Sequence, residues 1–114
     1  MSKQVGIGRV SKFGNKQTAA SDGTVFTSKR ECKRYEELSL LQRMGKIRAL
    51  ATQVPYELIP KQAGERACSY VADFTYLDEQ NFFHVEDTKG FRTRDYIIKR
   101  KLLNWIHGIT IEEI

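Results

Sequence analysis

The chain has 114 residues and a formal net charge of +5, with 19 lysines and arginines against 14 aspartates and glutamates. This length predicts one domain with a single hydrophobic core and excludes a separate recognition domain. No run approaches the roughly 18 apolar residues of a membrane helix. The N-terminus also lacks the apolar segment of a secretion signal, so we expect a cytoplasmic protein. Two cysteines and two histidines, far apart in the sequence, fit no zinc site.

The first 21 residues contain four basic residues, no acid and three glycines. Their weak apolar periodicity predicts a flexible basic arm, 1–21, before a folded domain, 22–114. Such an arm either steers DNA through its charge or is a plain disordered leader, and the sequence leaves both open.

A helix is predicted from Ser28, its N-cap, to about Met44, where Gly45 ends it. Glu31 stands three residues after Ser28, which is the spacing of a capping box. Glu31 also shares a helical stripe with Tyr35 and Leu38, which would turn it toward the packed side. We expect both roles for Glu31.

Three strands are predicted next. The first, 47–59, contains Pro55, which predicts an extended segment that forms an edge strand in two parts. The other two, 66–77 and 82–89, would form an antiparallel hairpin around the polar turn 78–81. Each of these two strands carries an aspartate among apolar and aromatic residues, Asp73 in one and Asp87 in the other.

The two aspartates would meet across this hairpin. If the turn is centred on Gln80, Asp73 lies opposite Asp87, with their Cβ atoms roughly 4.5–5.5 Å apart. Carboxylates that close repel unless a cation lies between them, which predicts a divalent metal. Strand alternation also puts Asp87 and Lys89 on one face and Glu86 on the other, in a structural contact. A one-residue slip would instead pair Asp73 with Glu86 as ordinary surface charges.

A second helix is predicted from 93 or 94 to His107, closed by Gly108, and a last strand over 109–111. Two neighbouring apolar stripes along the helix predict that it packs firmly. The basic residues here would contact a phosphate backbone: Arg92, Arg94, Lys99, Arg100 and Lys101. For Lys99, an aliphatic stem lying over apolar surface is an equally good interpretation.

Three segments occur in a fixed order: DGTVFTSKRE at 22–31, ADF at 72–74 and EDTKG at 86–90. With them, the region from Asp22 to the C-terminus resembles the PD-(D/E)XK nuclease superfamily, and within it a small phage and prophage family of unknown function. The superfamily's proline before the first acid is Ala72 here. The family has a glutamine at the place of Gln53, which is also an ordinary residue for an edge strand, so we leave it outside the predicted site.

The resemblance implies an α/β, restriction-endonuclease-like core, in which helices flank a mixed sheet and an antiparallel hairpin carries the acids. It implies a DNA endonuclease that needs Mg²⁺, or Mn²⁺ in its place, and no small-molecule cofactor. Asp73, Asp87 and the main-chain carbonyl of Thr88 would bind the metal. Lys89 would lie beside the attacking water, and Glu31 would add an acid from the first helix.

The expected partner is duplex or branched DNA, and a homodimer is expected because one small active site cuts one strand. A non-catalytic nucleic-acid-binding module with a nuclease fold is the main alternative. The presence of Asp73, Asp87 and Lys89 together favours the enzyme. A ribonuclease or nucleotide hydrolase is a third class, but the sequence shows no aromatic stacking platform that would indicate one.

Overall fold

The computed structural model describes residues 17–88 and 91–114. Within these ranges the architecture is α/β: two helices, a mixed four-stranded sheet and a separate two-stranded hairpin. In chain order the elements are β1 (Thr18–Ala19), β2 (Val25–Phe26), α1 (Lys29–Arg43), β3 (Ile47–Ile59), β4 (Cys68–Asp78), β5 (Phe83–Asp87), α2 (Arg94–His107) and β6 (Glu112–Glu113).

The four-stranded sheet has the order β3-β4-β5-β6. The first three strands are antiparallel neighbours, whereas β5 and β6 run parallel. Parallel neighbours cannot be joined by a tight turn, and here α2 forms the crossover between them. Strand β3, which contains Pro55, lies at an edge of this sheet, as the proline predicted. It is one strand of 13 residues and not two parts.

Local capping sets the bounds of both helices. The Ser28 side chain accepts a hydrogen bond from the Glu31 amide at the start of α1, and Thr93 does the same for Tyr96 at the start of α2. Gly108 closes α2 with a left-handed φ of +68°. The predicted helix bounds are therefore confirmed to within a residue. No helix among the described residues is both long and apolar enough to cross a membrane.

The β4–β5 hairpin has the predicted register. Its pairs run from Leu77↔Phe83 to Phe74↔Glu86 and are symmetrical about Gln80. The turn is closed by the Asn81 amide, which donates to the Asp78 carbonyl at 2.9 Å.

Two predictions about the chain ends differ from the structure. The last strand is Glu112–Glu113 and not 109–111, because Ile111 packs into the core, 7% exposed, instead of joining the sheet ladder. Near the other end, Thr18–Ala19 belong to the predicted arm but pair with Val25–Phe26. Residues 1–16 of that predicted arm lie outside the described residues.

The buried residues form two clusters, one against each helix. Phe74 and Tyr76 pack with α1, whereas Val85 packs with Tyr96 and Leu103 of α2. Glu86, the residue after Val85, is bound by a side chain of α1. Because consecutive strand residues point to opposite faces, the two helices cover opposite faces of β5. Of the two cysteines, both free thiols, one is buried and one partly buried.

One predicted apolar stripe of α2, formed by Ile98, Leu102 and Trp105, is more exposed than predicted. Tyr96 and Leu103 are buried, but Ile98 is 50% and Trp105 81% exposed. The expectation that both apolar stripes pack was wrong for these two residues and for Ile106 of the other stripe, which is 46% exposed. The sheet covers only one side of the helix. Because the two adjacent stripes have similar hydrophobicity, the sequence does not reveal which of them faces the sheet.

Candidate functional site

The hairpin register brings the two predicted aspartates to neighbouring strands. Asp87 is the last residue of β5 and is buried, 2% exposed, while Asp73 of β4 is partly buried. The last pair of the ladder is Phe74↔Glu86, and continuing that register by one residue places Asp73 opposite Asp87. The geometry is the one expected of a cross-strand carboxylate pair.

Asp73 holds the residue that follows the second acid. Its Oδ2 accepts hydrogen bonds from the Thr88 amide and from the Thr88 hydroxyl, both at 2.9 Å. Thr88 is 7% exposed, so these bonds form in a largely water-free place. Within the described part of the chain, no donor bonds the other oxygen, Oδ1, of Asp73.

Asp87 of β5 contacts both neighbouring strands, β4 and β6. The Tyr70 hydroxyl of β4 donates to Oδ2 of Asp87 at 2.6 Å. Burial, and then this hydrogen bond, raises the pKa of Tyr70, so the phenol stays a donor at any ordinary pH. On the other side Asp87 pairs with Glu113 of β6, and its carbonyl accepts from the Ile114 amide at 3.0 Å.

Glu31 reaches the sheet through Gln53. Its amide is part of the α1 cap, and its side chain is 9% exposed. Oε2 of Glu31 accepts a hydrogen bond of 2.8 Å from the Gln53 amide group on β3. The cap position and the orientation toward the packed side, both expected from the sequence, thus occur together.

Gln53 is a residue that sequence reasoning left out of the site. It lies between the β3–β4 pairs Thr52↔Phe74 and Val54↔Ala72, which places it opposite Asp73. Its φ is +53°, a left-handed conformation inside a strand. Such a conformation costs a non-glycine residue about 1–3 kcal/mol and is concentrated at functional sites. The sequence does not reveal this position of Gln53, because a polar residue on an edge strand is common.

Gln53, Asp73 and Asp87 therefore occupy one row across β3, β4 and β5, and Glu31 is attached to this row through Gln53. Lys89 lies outside the described residues, so the row is described without it. Among residues 17–88 and 91–114, no three histidine, cysteine, aspartate or glutamate side chains are grouped closely enough to hold a metal ion. The row itself supplies two carboxylates side by side.

Glu86 belongs to a different set of contacts, on the α1 face. It is fully buried, and Arg34 of α1 donates to it twice, from Nε to Oε1 at 2.7 Å and from Nη2 to Oε2 at 2.6 Å. The Tyr76 hydroxyl donates to the same Oε2. A paired, fully hydrogen-bonded carboxylate of this kind fits the structural contact that strand alternation predicted for Glu86.

The predicted phosphate-binding cations divide into two groups. Arg92 and Arg100 form ion pairs with Glu113, at 2.5 and 2.8 Å. The Tyr96 hydrogen bond, followed by these two arginines, lowers the pKa of Glu113. Arg94 and Lys101 are exposed, and within the described ranges no carboxylate lies at ion-pair distance from either. Lys99 is partly buried.

A family model described as "Protein of unknown function (DUF1064)" matches residues 10–108. Neither the comparison with curated proteins nor that with solved structures finds a match. The matched range includes Glu31, Gln53, Asp73 and Asp87, and it ends before β6.

Proposed function

The chain belongs to the DUF1064 family of proteins of unknown function, and we propose that it is a divalent-metal-dependent DNA endonuclease. The observation that carries this proposal is the row formed by Gln53, Asp73 and Asp87, in which two carboxylates lie side by side on adjacent strands. The substrate would be duplex or branched DNA, and the origin a phage or mobile element. The order of helix, three antiparallel strands, helix and parallel strand supports a restriction-endonuclease-like core.

The donor set of the row fits a hard cation. It consists of carboxylate and amide oxygens, which Mg²⁺ and Mn²⁺ prefer, and includes no thiol or imidazole. Asp73 and Asp87 would hold the metal, with the Thr88 carbonyl as a further oxygen donor. Glu31, which the sequence offered as an added ligand, stands outside this set, because among the described residues no three such side chains lie close enough to share an ion. When bound, such an ion neutralises charge on the phosphate and favours ionisation of a water.

The chain's own residues would prepare this site. The two Thr88 bonds fix the Asp73 carboxylate, and the Tyr70 hydroxyl fixes that of Asp87. Gln53 orients Glu31 at the helix terminus. Lys89, two residues after Asp87, would act beside the attacking water. Preorganised groups of this kind lower a barrier because they need not reorganise during the reaction.

The exposed cations of α2 would bind the DNA backbone. Arg94 and Lys101 have no intramolecular ion pair within the described ranges, so phosphates can displace water from them without breaking a salt bridge. Because each small domain has one site, cutting both strands of a duplex would take two copies, and a homodimer is part of the proposal.

A non-catalytic nucleic-acid-binding module is the second candidate. It is favoured by the lack of any three-residue metal-binding group among the described residues. The same cations of α2 would then bind DNA without cleaving it. Cleavage assays separate the two candidates.

The deciding experiment incubates the protein with supercoiled plasmid, linear duplex and a four-way junction, in Mg²⁺, Mn²⁺, Ca²⁺ or EDTA. We expect products with Mg²⁺ and Mn²⁺ and suppression with Ca²⁺, whose looser coordination does not hold the octahedral geometry. The preferred substrate then identifies nicking, double-strand cutting or junction resolution. Full activity in EDTA would remove the metal mechanism, and binding without products under all four conditions would favour the second candidate.

Asp73→Asn and Asp87→Asn should each lower the cleavage rate at least about a hundredfold, because several kcal/mol of charge stabilisation depend on the metal. Both variants should stay folded, since an amide of the same shape replaces one of two repelling acids. Gel kinetics and circular dichroism measure the two effects. Glu79→Gln, an exposed acid in the hairpin turn, is the matched control. Wild-type turnover in either aspartate variant would refute the assignment.

A further inference from the structure

The outward face of α2 is apolar, aromatic and cationic at once. Ile98, Leu102 and Trp105 follow one another at helical spacing on this face, and Trp105 is the most exposed of them, at 81%. Lys101 lies beside them and is also exposed. An indole left this open to water costs free energy unless a partner covers it.

Two hollows adjoin on this face. The first, about 290 Å³ in volume, is lined by Ile98, Lys101, Leu102 and Trp105. The second, about 510 Å³, lies where α2 meets the chain before β6, and its walls include Arg100, Lys101, Asn104 and Thr110. Lys101 lines both hollows and so stands between them.

The charge of this face is net positive, with Arg94 and Lys101 against one exposed acid, Asp95. Arg94, Lys101 and Trp105 follow at intervals of seven and four residues, which places them on one stripe. The one acid that lines the second hollow, Glu113, is already bound by Arg92, Arg100 and Tyr96. A cation between an aromatic hollow and a polar hollow complements a chain of flat bases joined by anionic phosphates.

We propose that this face binds an unpaired strand of DNA, with one base stacked on Trp105, the next phosphate on Lys101 and the neighbouring nucleotide in the second hollow. Asn104 lines the second hollow, where its Nδ2 donates to the Ile109 carbonyl and the Thr110 hydroxyl. The choice of DNA over RNA rests on the proposed function. The strand would be the unpaired part of a branched substrate.

Trp105 is the only tryptophan in the chain, so its fluorescence reports directly on the proposed contact. The full chain is titrated with oligo(dT) in EDTA, where no cleavage occurs. We expect saturable quenching of the emission. Because this assay needs no metal, quenching without cleavage in Mg²⁺ would refute the endonuclease and leave the binding face standing.

Variants are compared by the anisotropy of a labelled oligo(dT). Trp105→Ala should weaken binding about tenfold or more, whereas Trp105→Phe, which keeps a ring, should keep most of the affinity. Lys101→Gln should reduce the salt slope of binding by about 0.7, the value for one contact to a single strand. Two matched controls should bind as the wild type does: Phe82→Ala, an aromatic 66% exposed in the hairpin turn, and Lys33→Gln, an exposed lysine of α1.

Several results would overturn the proposal. Absence of quenching, or equal quenching by polyphosphate, would exclude base stacking. Emission that shifts with protein concentration when no DNA is present would assign the face to a second copy. Tighter binding of oligo(U) than of oligo(dT) would assign it to RNA.

Discussion

At the scale of single residues, Glu86 is a charge enclosed by the fold. Its side chain is 1% exposed, and its partner Arg34 lies 52 residues earlier in the chain. The hydrogen bond to Glu86 raises the pKa of Arg34, which therefore stays charged. Removing one member of such a pair leaves the other as an uncompensated buried charge.

Arg34→Met should lower the free energy of unfolding by about 3–5 kcal/mol, because Glu86 would lose both of its guanidinium bonds. Urea denaturation followed by circular dichroism measures the loss. Part of it should return in the double variant Arg34→Met with Glu86→Gln, in which no buried charge remains.

The matched control is Glu37→Gln. Glu37 binds the same arginine at 3.0 Å, but its side chain is 48% exposed. An exposed pair of this kind contributes less than about 1 kcal/mol. Equal losses of unfolding free energy in Arg34→Met and Glu37→Gln would show that the burial of Glu86 does not explain how much the Arg34–Glu86 pair stabilises the protein.

The sequence predicted some of these residues and not others. The relation of Asp73 to Asp87 follows from local signals, since a polar turn and strand alternation together set the register of a hairpin. The contact between Arg34 and Glu86, and the left-handed Gln53, depend on how distant elements pack. The catalytic and metal-binding roles assigned to the site residues stay predictions.

At the scale of elements, the caps decide where the helices begin. Ser28→Ala should cost about 1 kcal/mol of stability, because the Glu31 amide would lose its acceptor at the first turn of α1. Chemical denaturation measures this. Ser39→Ala, inside the same helix, is the control and should be neutral or slightly stabilising, because alanine is the better helix former. An equal loss at both positions would argue against capping.

The same local physics explains which elements were predictable. Helix ends and the hairpin turn were readable because capping and turn residues act within a few positions. The place of β6 was not, because β-branched residues at 109–111 suit a strand and a packed core segment equally. Which apolar stripe of α2 meets the sheet was not readable either, since tertiary packing decides it.

His84 of β5 connects three strands. Its Nε2 lies 2.7 Å from Asp78 of β4 and its Nδ1 2.5 Å from Glu112 of β6, while its ring stacks on Tyr76 at 4.9 Å. Two carboxylates at the two ring nitrogens require both nitrogens to donate, which is the imidazolium form. The hydrogen bond to Asp78, together with Glu112 and against burial, raises the pKa of His84 above 6.5.

Stability should therefore depend on pH through His84. A pKa that is higher in the folded state gives stabilisation that is complete below about pH 6.5 and is lost as the pH rises through the folded value. His84→Gln should remove this pH dependence, as measured by urea denaturation at a series of pH values. His107→Gln, whose partner is the neutral Glu57 carbonyl, is the control. A wild-type pH profile in His84→Gln would contradict the imidazolium assignment.

At the scale of the whole molecule, the net charge of +5 is not all available to a partner. Glu113 binds Arg92 and Arg100, so these two cations would have to exchange a carboxylate for a phosphate. The exposed Arg94 and Lys101 form no ion pair within the described ranges. The surface around α2 thus contains cations of two kinds, restrained and available.

Glu113→Gln should release the restrained pair. We expect tighter binding to duplex DNA. The slope of log K against log salt concentration should steepen by up to about 1.8, the value for two phosphate contacts, because two more arginines can displace counterions. Fluorescence anisotropy across a salt series measures both. Glu65→Gln, an exposed acid between β3 and β4, changes the net charge equally and is the control. Identical slopes in the two variants would place the DNA away from Arg92 and Arg100.

Strand β3 also has a consequence for how molecules behave at high concentration. A 13-residue strand at the edge of a sheet is a template on which another chain can add its own strand. Pro55 presents no N–H to such a strand, and the left-handed Ala49 and Gln53 interrupt the extended backbone twice more. Growth of the sheet from molecule to molecule is thereby blocked at three points, which protects the folded protein from amyloid-like aggregation along its longest strand.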